Sequence, residues 1–82
     1  MAKFMCMAAY TTETGLAQCM LSDEIYDNTV FNSEHSAKVA AQLFLNDYVD
    51  APDGSVVKWW GIEGEFKGKH GECCFTIFAV PE

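Results

Sequence analysis

The chain has 82 residues, 50% of them hydrophobic and 13% aromatic, with a formal net charge of −7 from 12 acidic and 5 basic side chains. That length allows one small domain, and the composition is globular, not disordered. The acidic balance argues against binding nucleic-acid phosphates or an anionic membrane surface, and for solubility and attraction to a basic partner.

The first residues carry no signal-peptide pattern of a basic start, an apolar stretch and a small-residue cleavage site. No run approaches the ~20 apolar residues of a membrane-spanning helix. The expected location is therefore the cytoplasm, where Cys6, Cys19, Cys73 and Cys74 act as small buried hydrophobes in a reducing compartment.

Residues 3–12, Lys3-Phe4-Met5-Cys6-Met7-Ala8-Ala9-Tyr10-Thr11-Thr12, read as a strand. Glu13-Thr14-Gly15 is a turn signal, and residues 16–21 either return as a second strand or form a short helical turn. Asp23 to Asn28 reads as a loop and Asn28 to Phe31 as a brief extended piece. The firmest element is a helix. Asn32 or Ser33 supplies its N-cap, Glu34 meets the positive end of its dipole, and Ala37, Ala40, Ala41, Phe44, Leu45 and Tyr48 form an apolar stripe widened by Val39 and Leu43.

Pro52-Asp53-Gly54 ends that helix region with turn chemistry. Residues 55–62 read as a strand, with Gly61 marking a bulge. Residues 63–71 are either a long hairpin loop or two strand ends joined by a Gly-rich turn, and residues 72–80 form the last strand. The expected fold is α+β: an antiparallel sheet of three to four strands with one helix packed on one face, in the order β-(β)-α-β-β.

The two C-terminal strands are apolar on both faces, where a half-exposed strand should alternate. With Lys58 and Thr76 as solvent-side markers, Val57, Trp59, Cys73, Phe75 and Ile77 point to the helix. Val56, Trp60, Cys74, Phe78 and Val80 point the other way, joined by Met5 and Met7 or by Phe4, Cys6 and Tyr10. This second face forms an apolar patch of several hundred Å2, on the scale that marks binding, unless segment 16–31 folds across it.

The sequence offers little chemistry. His70-Gly71-Glu72-Cys73-Cys74 brings soft ligands together, but adjacent strand cysteines face opposite ways and a Cys-x2-4-Cys pair is missing. A disulfide between Cys6 or Cys19 and Cys73 or Cys74 is not expected without secretion. No signature surrounds a cysteine with His35 or His70 as a nucleophile. The glycines at 61, 64, 68 and 71 sit among Glu63, Glu65 and Glu72, which repel phosphate. Glu63 and Glu65 are expected to form a charged strand edge that discourages aggregation. No cofactor, metal or catalytic residue is therefore expected. Acidic recognition is the strongest signal: Asp23, Glu24 and Asp27 cluster in one segment, and Asp47, Asp50 and Asp53 surround the helix end.

A strand or hairpin, the run Asn32-Ser33-Glu34-His35-Ser36-Ala37-Lys38-Val39-Ala40-Ala41, the turn Pro52-Asp53-Gly54 and two further strands together resemble small acidic bacteriophage-encoded proteins, among them anti-CRISPR inhibitors. The likeness is one of length, charge and element order, without a shared motif. It implies a non-enzymatic inhibitor that binds a host defence or nucleic-acid-processing complex. On that expectation Asp23, Glu24, Asp27, Asp47, Asp50 and Asp53 meet basic target residues, while Trp60 and Phe78 anchor the apolar contact. The alternative expectation is a homodimeric accessory protein that buries its second sheet face against its own copy.

Overall fold

A computed structural model describes residues 3–22, 29–48, 51–68 and 71–81. The described elements are β1 (Lys3–Thr12), β2 (Gly15–Met20), α1 (Glu34–Tyr48), β3 (Lys58–Trp60), β4 (Glu63–Gly68) and β5 (Gly71–Val80). The strands form one antiparallel sheet in the order β2-β1-β5-β4-β3. The α+β class and the helix are as expected, but the sheet has five strands instead of three or four.

Both ends of the chain meet in the sheet centre, where β1 pairs with β5 in a register that sets Cys6 opposite Ile77 and Ala8 opposite Phe75. All four of these residues are buried, and α1 lays Ala37, Ala41 and Leu45 over them. Alanine at two of the three helix positions lets the backbone approach the sheet closely. Leu21, Phe31 and Val57 close the sides of this core. Tyr10, Phe44, Phe75 and Trp59 make a chain of rings between the layers, with centroids 5.4, 6.0 and 6.2 Å apart. Lys38 extends its ammonium to 5.2 Å from the Trp59 ring, covering an otherwise open flank.

Local chemistry explains where the elements begin and end. The Thr12 hydroxyl donates to the Gly15 carbonyl at 2.9 Å and accepts from the Thr14 amide at 3.3 Å, pinning the β1–β2 turn. Of the two candidate N-caps the helix uses Ser33, whose Oγ accepts from the Ser36 amide at 3.0 Å. The turn after the helix closes through the Ser55 amide donating to the Pro52 carbonyl, with Gly54 at φ 86°.

One open alternative is settled and three expectations are corrected. Residues 16–21 resolve to the strand reading, because the edge of β1 supplies main-chain partners that a lone helical turn lacks. The strand expected over 55–62 is confined to Lys58–Trp60, and Gly61 is the first residue of a two-residue turn, not a bulge. Its φ of 61° suits the primed turns that match strand twist. Residues 63–68 are a full strand between β3 and β5, so Glu63 and Glu65 lie inside the sheet and not on its edge. Val39 and Leu43 do not widen the buried stripe; both are exposed, because the sheet meets only the Ala37-Ala41-Leu45 side of the helix. The Tyr48 side chain lies outside the described residues.

Gln42 joins the helix to the connection that follows it. Its amide nitrogen donates to the Ser55 carbonyl at 2.8 Å and to Asn46 Oδ1 at 3.0 Å, while its Oε1 accepts from the Val57 amide at 3.0 Å. Gln42→Leu keeps the bulk and strips the Val57 N–H and Ser55 C=O of these partners. The expected loss is ~1–3 kcal/mol in urea unfolding, and a change within ~0.5 kcal/mol would mean that water replaces the amide without cost.

Candidate functional site

The helix covers one face of the sheet; among the described residues no element covers the other. Strand alternation puts Met5, Met7 and Ala9 of β1 on this open face, where they meet Phe78, Thr76 and Cys74 of β5. The choice left open for the first strand is thereby settled in favour of Met5 and Met7, since Phe4, Cys6 and Tyr10 lie on the helix side. β2 adds Leu16, Gln18 and Met20, with Leu16 79% and Met20 37% exposed. β3 and β4 add Lys58, Trp60, Glu63, Glu65 and Lys67.

The face has two halves. Toward β1 and β2 it is mainly apolar, carrying Met5, Met7, Leu16, Met20 and Phe78, with Lys3 at the start of β1 on the same side. Toward β3 and β4 it is a lattice of alternating charge, with Lys58 opposite Glu65 and Lys67 opposite Glu72 across the strands. Trp60, 52% exposed, rises from the charged half, and Lys58 Nζ stands 5.1 Å from its ring. Phe78, 39% exposed, marks the apolar half. The strands of these two aromatics are separated by β4, so two strand spacings, ~10 Å, part them across the sheet.

Segment 16–31 does not fold across this face in its described parts. β2 extends the sheet sideways, and Leu21 and Phe31 turn into the helix-side core. Phe31 exchanges main-chain hydrogen bonds with Phe4 at 2.9 and 2.7 Å, continuing the same side of β1 beyond β2. Ile25 and Tyr26 lie outside the described residues.

The acidic residues expected to share a surface with the aromatics are placed differently. Asp47 is exposed in the last turn of α1 and Asp53 in the turn beyond it, while the helix packs on the face opposite Trp60 and Phe78. Asp23, Glu24, Asp27 and Asp50 lie outside the described residues, as do Lys69 and His70. The acids that do share the open face are Glu63, Glu65 and Glu72. Alternation could have revealed them: Glu63, Glu65 and Lys67 recur every second residue, with Gly64 and Phe66 between them.

All four thiols are shifted toward their neutral form. Burial pushes Cys6 and Cys73 up to about 12, with smaller contributions from neighbouring thiols. Cys19 is raised by partial burial. Cys74, on the open face, is raised first by partial burial and then by the Glu72 and Glu65 carboxylates, against an opposing pull from Lys67. A thiol held in its neutral form is a poor nucleophile and metal ligand. All four cysteines are free, and Cys73 is buried while its neighbour Cys74 is exposed, so the pair cannot converge on one ion. Among the described residues no group of three His, Cys, Asp or Glu side chains is placed to hold a metal.

Two results are expected from this. In the native protein Cys74 reacts with an aromatic disulfide reagent long before Cys6 and Cys73, and Glu65→Gln speeds it; equal rates for all thiols would contradict the burial pattern. Because the buried thiols are raised from 9.0 to about 12 in the fold, the unfolded chain sheds protons first as pH rises. Their contribution to stability is complete below pH 9.0 and is lost progressively between there and about 12. Urea midpoints measured across that window should fall, and should fall less in Cys73→Ala.

Comparison of the chain with family models, with curated proteins and with solved structures gives no match.

Proposed function

We propose that this protein acts by binding another protein through the open face of its sheet, without catalysis. The observation that carries the reading is the exposure of Trp60, Phe78, Leu16 and Met20 on the sheet face that no described element covers, while the helix side buries Cys6, Ala8, Cys73, Phe75 and Ile77. Isolated surface apolar residues are ordinary, but these share one face with Met5 and Met7, and Trp, Phe and Met are the types enriched where proteins meet. Trp60 and Phe78 are the anchors, and the Lys58–Glu65 and Lys67–Glu72 pairs form a rim that fixes orientation.

The net charge of −7 favours a partner with a basic surface and speeds encounter with it. A phosphate-binding surface of a nucleic-acid-processing complex has that chemistry, so the fullest form of the proposal is an inhibitor of the anti-CRISPR kind, acting in a host cell. Asp47, on the helix side, and Asp53, in the turn beyond the helix, would steer approach.

The test is paired capture from a host lysate with the wild-type chain and with Trp60→Ala/Phe78→Ala. A protein retained by the first and lost by the second, with binding reproduced from purified components, supports the reading. Identical captures with both chains would overturn the open face as the contact surface.

A further inference from the structure

The two edges of the sheet differ in kind. The β3 edge is three residues long and carries Lys58. The β2 edge is six residues, Gly15-Leu16-Ala17-Gln18-Cys19-Met20, with no charge and no proline. Exposed strand edges are normally blunted by short length, charge, proline or a bulge, because unpaired N–H and C=O groups recruit another strand. β3 has two of these defences and β2 has none of them, and among the described residues no segment pairs with its outer side.

The direction of the free groups follows from the ladder. The Leu21 amide donates to the Cys6 carbonyl at 2.9 Å, so Leu21 turns its main chain toward β1. Alternate residues of a strand turn the same way. Cys19 and Ala17 therefore also face β1, and Met20, Gln18 and Leu16 turn their N–H and C=O groups outward. These same three residues display their side chains on the open face.

We propose that the β2 edge is a self-pairing surface on which two copies join antiparallel about Gln18, merging their sheets into one. The residue pattern fits its own reverse. Gln18 meets Gln18 of the second copy on the two-fold axis, and Leu16 of each copy meets Met20 of the other on the open face. The outward groups of these three residues then form about six main-chain hydrogen bonds. The seam also covers Leu16, which at 79% is the most exposed large apolar side chain among the described residues. A second copy suits this edge because it brings no charge to an uncharged seam, and a two-fold contact must be self-complementary. The sheets' open faces run on from one copy to the next, so their β1–β2 halves adjoin and Trp60 and Phe78, the anchors proposed above, stay free. The pairing is independent of that reading.

The experiment is sedimentation equilibrium of the reduced wild-type chain up to ~1 mM, beside Gln18→Pro and Trp60→Ala. Proline at 18 removes an outward N–H and leaves the β1–β2 ladder intact, since Gln18 gives β1 no hydrogen bond. The mass of the wild type should rise from 9.1 kDa toward twice that value, more readily at high salt, which screens the repulsion between two acidic copies. Gln18→Pro should raise the dimer Kd by ~30-fold or more, through the two hydrogen bonds lost at the axis, and Trp60→Ala should leave it unchanged.

Hydrogen exchange of the wild type reads the same seam without a mutation. Protection at Leu16, Gln18 and Met20 should rise with concentration while Ala17 and Cys19 stay constant. A monomer throughout, a dimer that survives Gln18→Pro but not Trp60→Ala, or concentration-independent exchange at the three amides would each overturn the proposal. Partner capture by a monomeric Gln18→Pro chain would separate this proposal from the function proposed above.

Discussion

Phe75→Ala is expected to cost ~3–5 kcal/mol, the largest single loss expected of any one substitution in this core. Phe75 is 1% exposed in the central strand of the sheet. It touches Phe44 of the helix edge-on at 6.0 Å and Trp59 at 6.2 Å, so it joins the layers as well as neighbouring strands. Truncation removes its burial and leaves a cavity beneath a helix whose closest contacts are alanines, side chains too short to collapse into the gap. A domain of this length holds on the order of 4–12 kcal/mol in total, so the loss takes a large share. Urea unfolding followed by tryptophan fluorescence measures it, since Trp59 leaves the core while Trp60 is already in water. Phe75→Leu should retain most of the stability, with a loss below ~1.5 kcal/mol. A Phe75→Ala loss under ~1 kcal/mol would mean that the core does not depend on this ring.

Gly64→Ala should destabilise by ~1–3 kcal/mol, although alanine in a strand ordinarily improves on glycine. Gly64 is buried in β4 and its φ is not among the positive ones, so its backbone accommodates any residue. Space is the difficulty. A Cβ there would stand 2.7 Å from Trp59 Cε3 and Cζ3 and 2.8 Å from Val57 Cγ1. Gly64 pairs with Trp59 across β3 and β4, and the six-membered ring of the indole occupies the space where a side chain at 64 would begin. Trp59 is held in turn by Phe75 and Lys38, so it cannot swing away without disturbing both. In a double-mutant cycle Trp59→Leu should relieve the substitution, with a coupling of ~0.5–3 kcal/mol. A neutral or stabilising Gly64→Ala, or an additive cycle, would remove Trp59 as the reason for glycine at 64.

The binding proposal depends on a neighbouring contrast. Trp59 and Trp60 are adjacent in sequence and point to opposite faces, one into the ring stack and one into solvent. Trp60→Ala should accordingly leave the urea midpoint nearly unchanged while changing what the protein binds. The same two-face logic separates Cys73 from Cys74 and Ile77 from Phe78.

That logic was legible in the residues. Period-two alternation, with Lys58 and Thr76 as polar markers, assigns Val57, Trp59, Cys73, Phe75 and Ile77 to the helix side, where the fold buries or half-buries all five. The helix, a cap at Asn32 or Ser33 and the alanine stripe were equally legible, because capping and 3.6-residue periodicity are local. β4 was harder to see, since a strand with glycine inward and glutamate outward has low strand propensity; only Trp59 over Gly64 and pairing on both sides make it a strand. The position of the acids was not legible. Asp47 and Asp53 stand near Trp60 in sequence, yet the helix carries Asp47 to the other side of the sheet.

By itself, then, the sequence determined the fold class, the helix and the apolar character of both faces of β5, because spacing within one element decides which residues can share a side. Only the tertiary structure decided that β2 joins the sheet as an uncharged edge, that β4 lies inside it, and that Met5 and Met7, not Phe4 and Cys6, look outward. Those outcomes depend on register between strands as distant as Cys6 and Ile77, and a slip of one residue would exchange the two faces of β1 entirely.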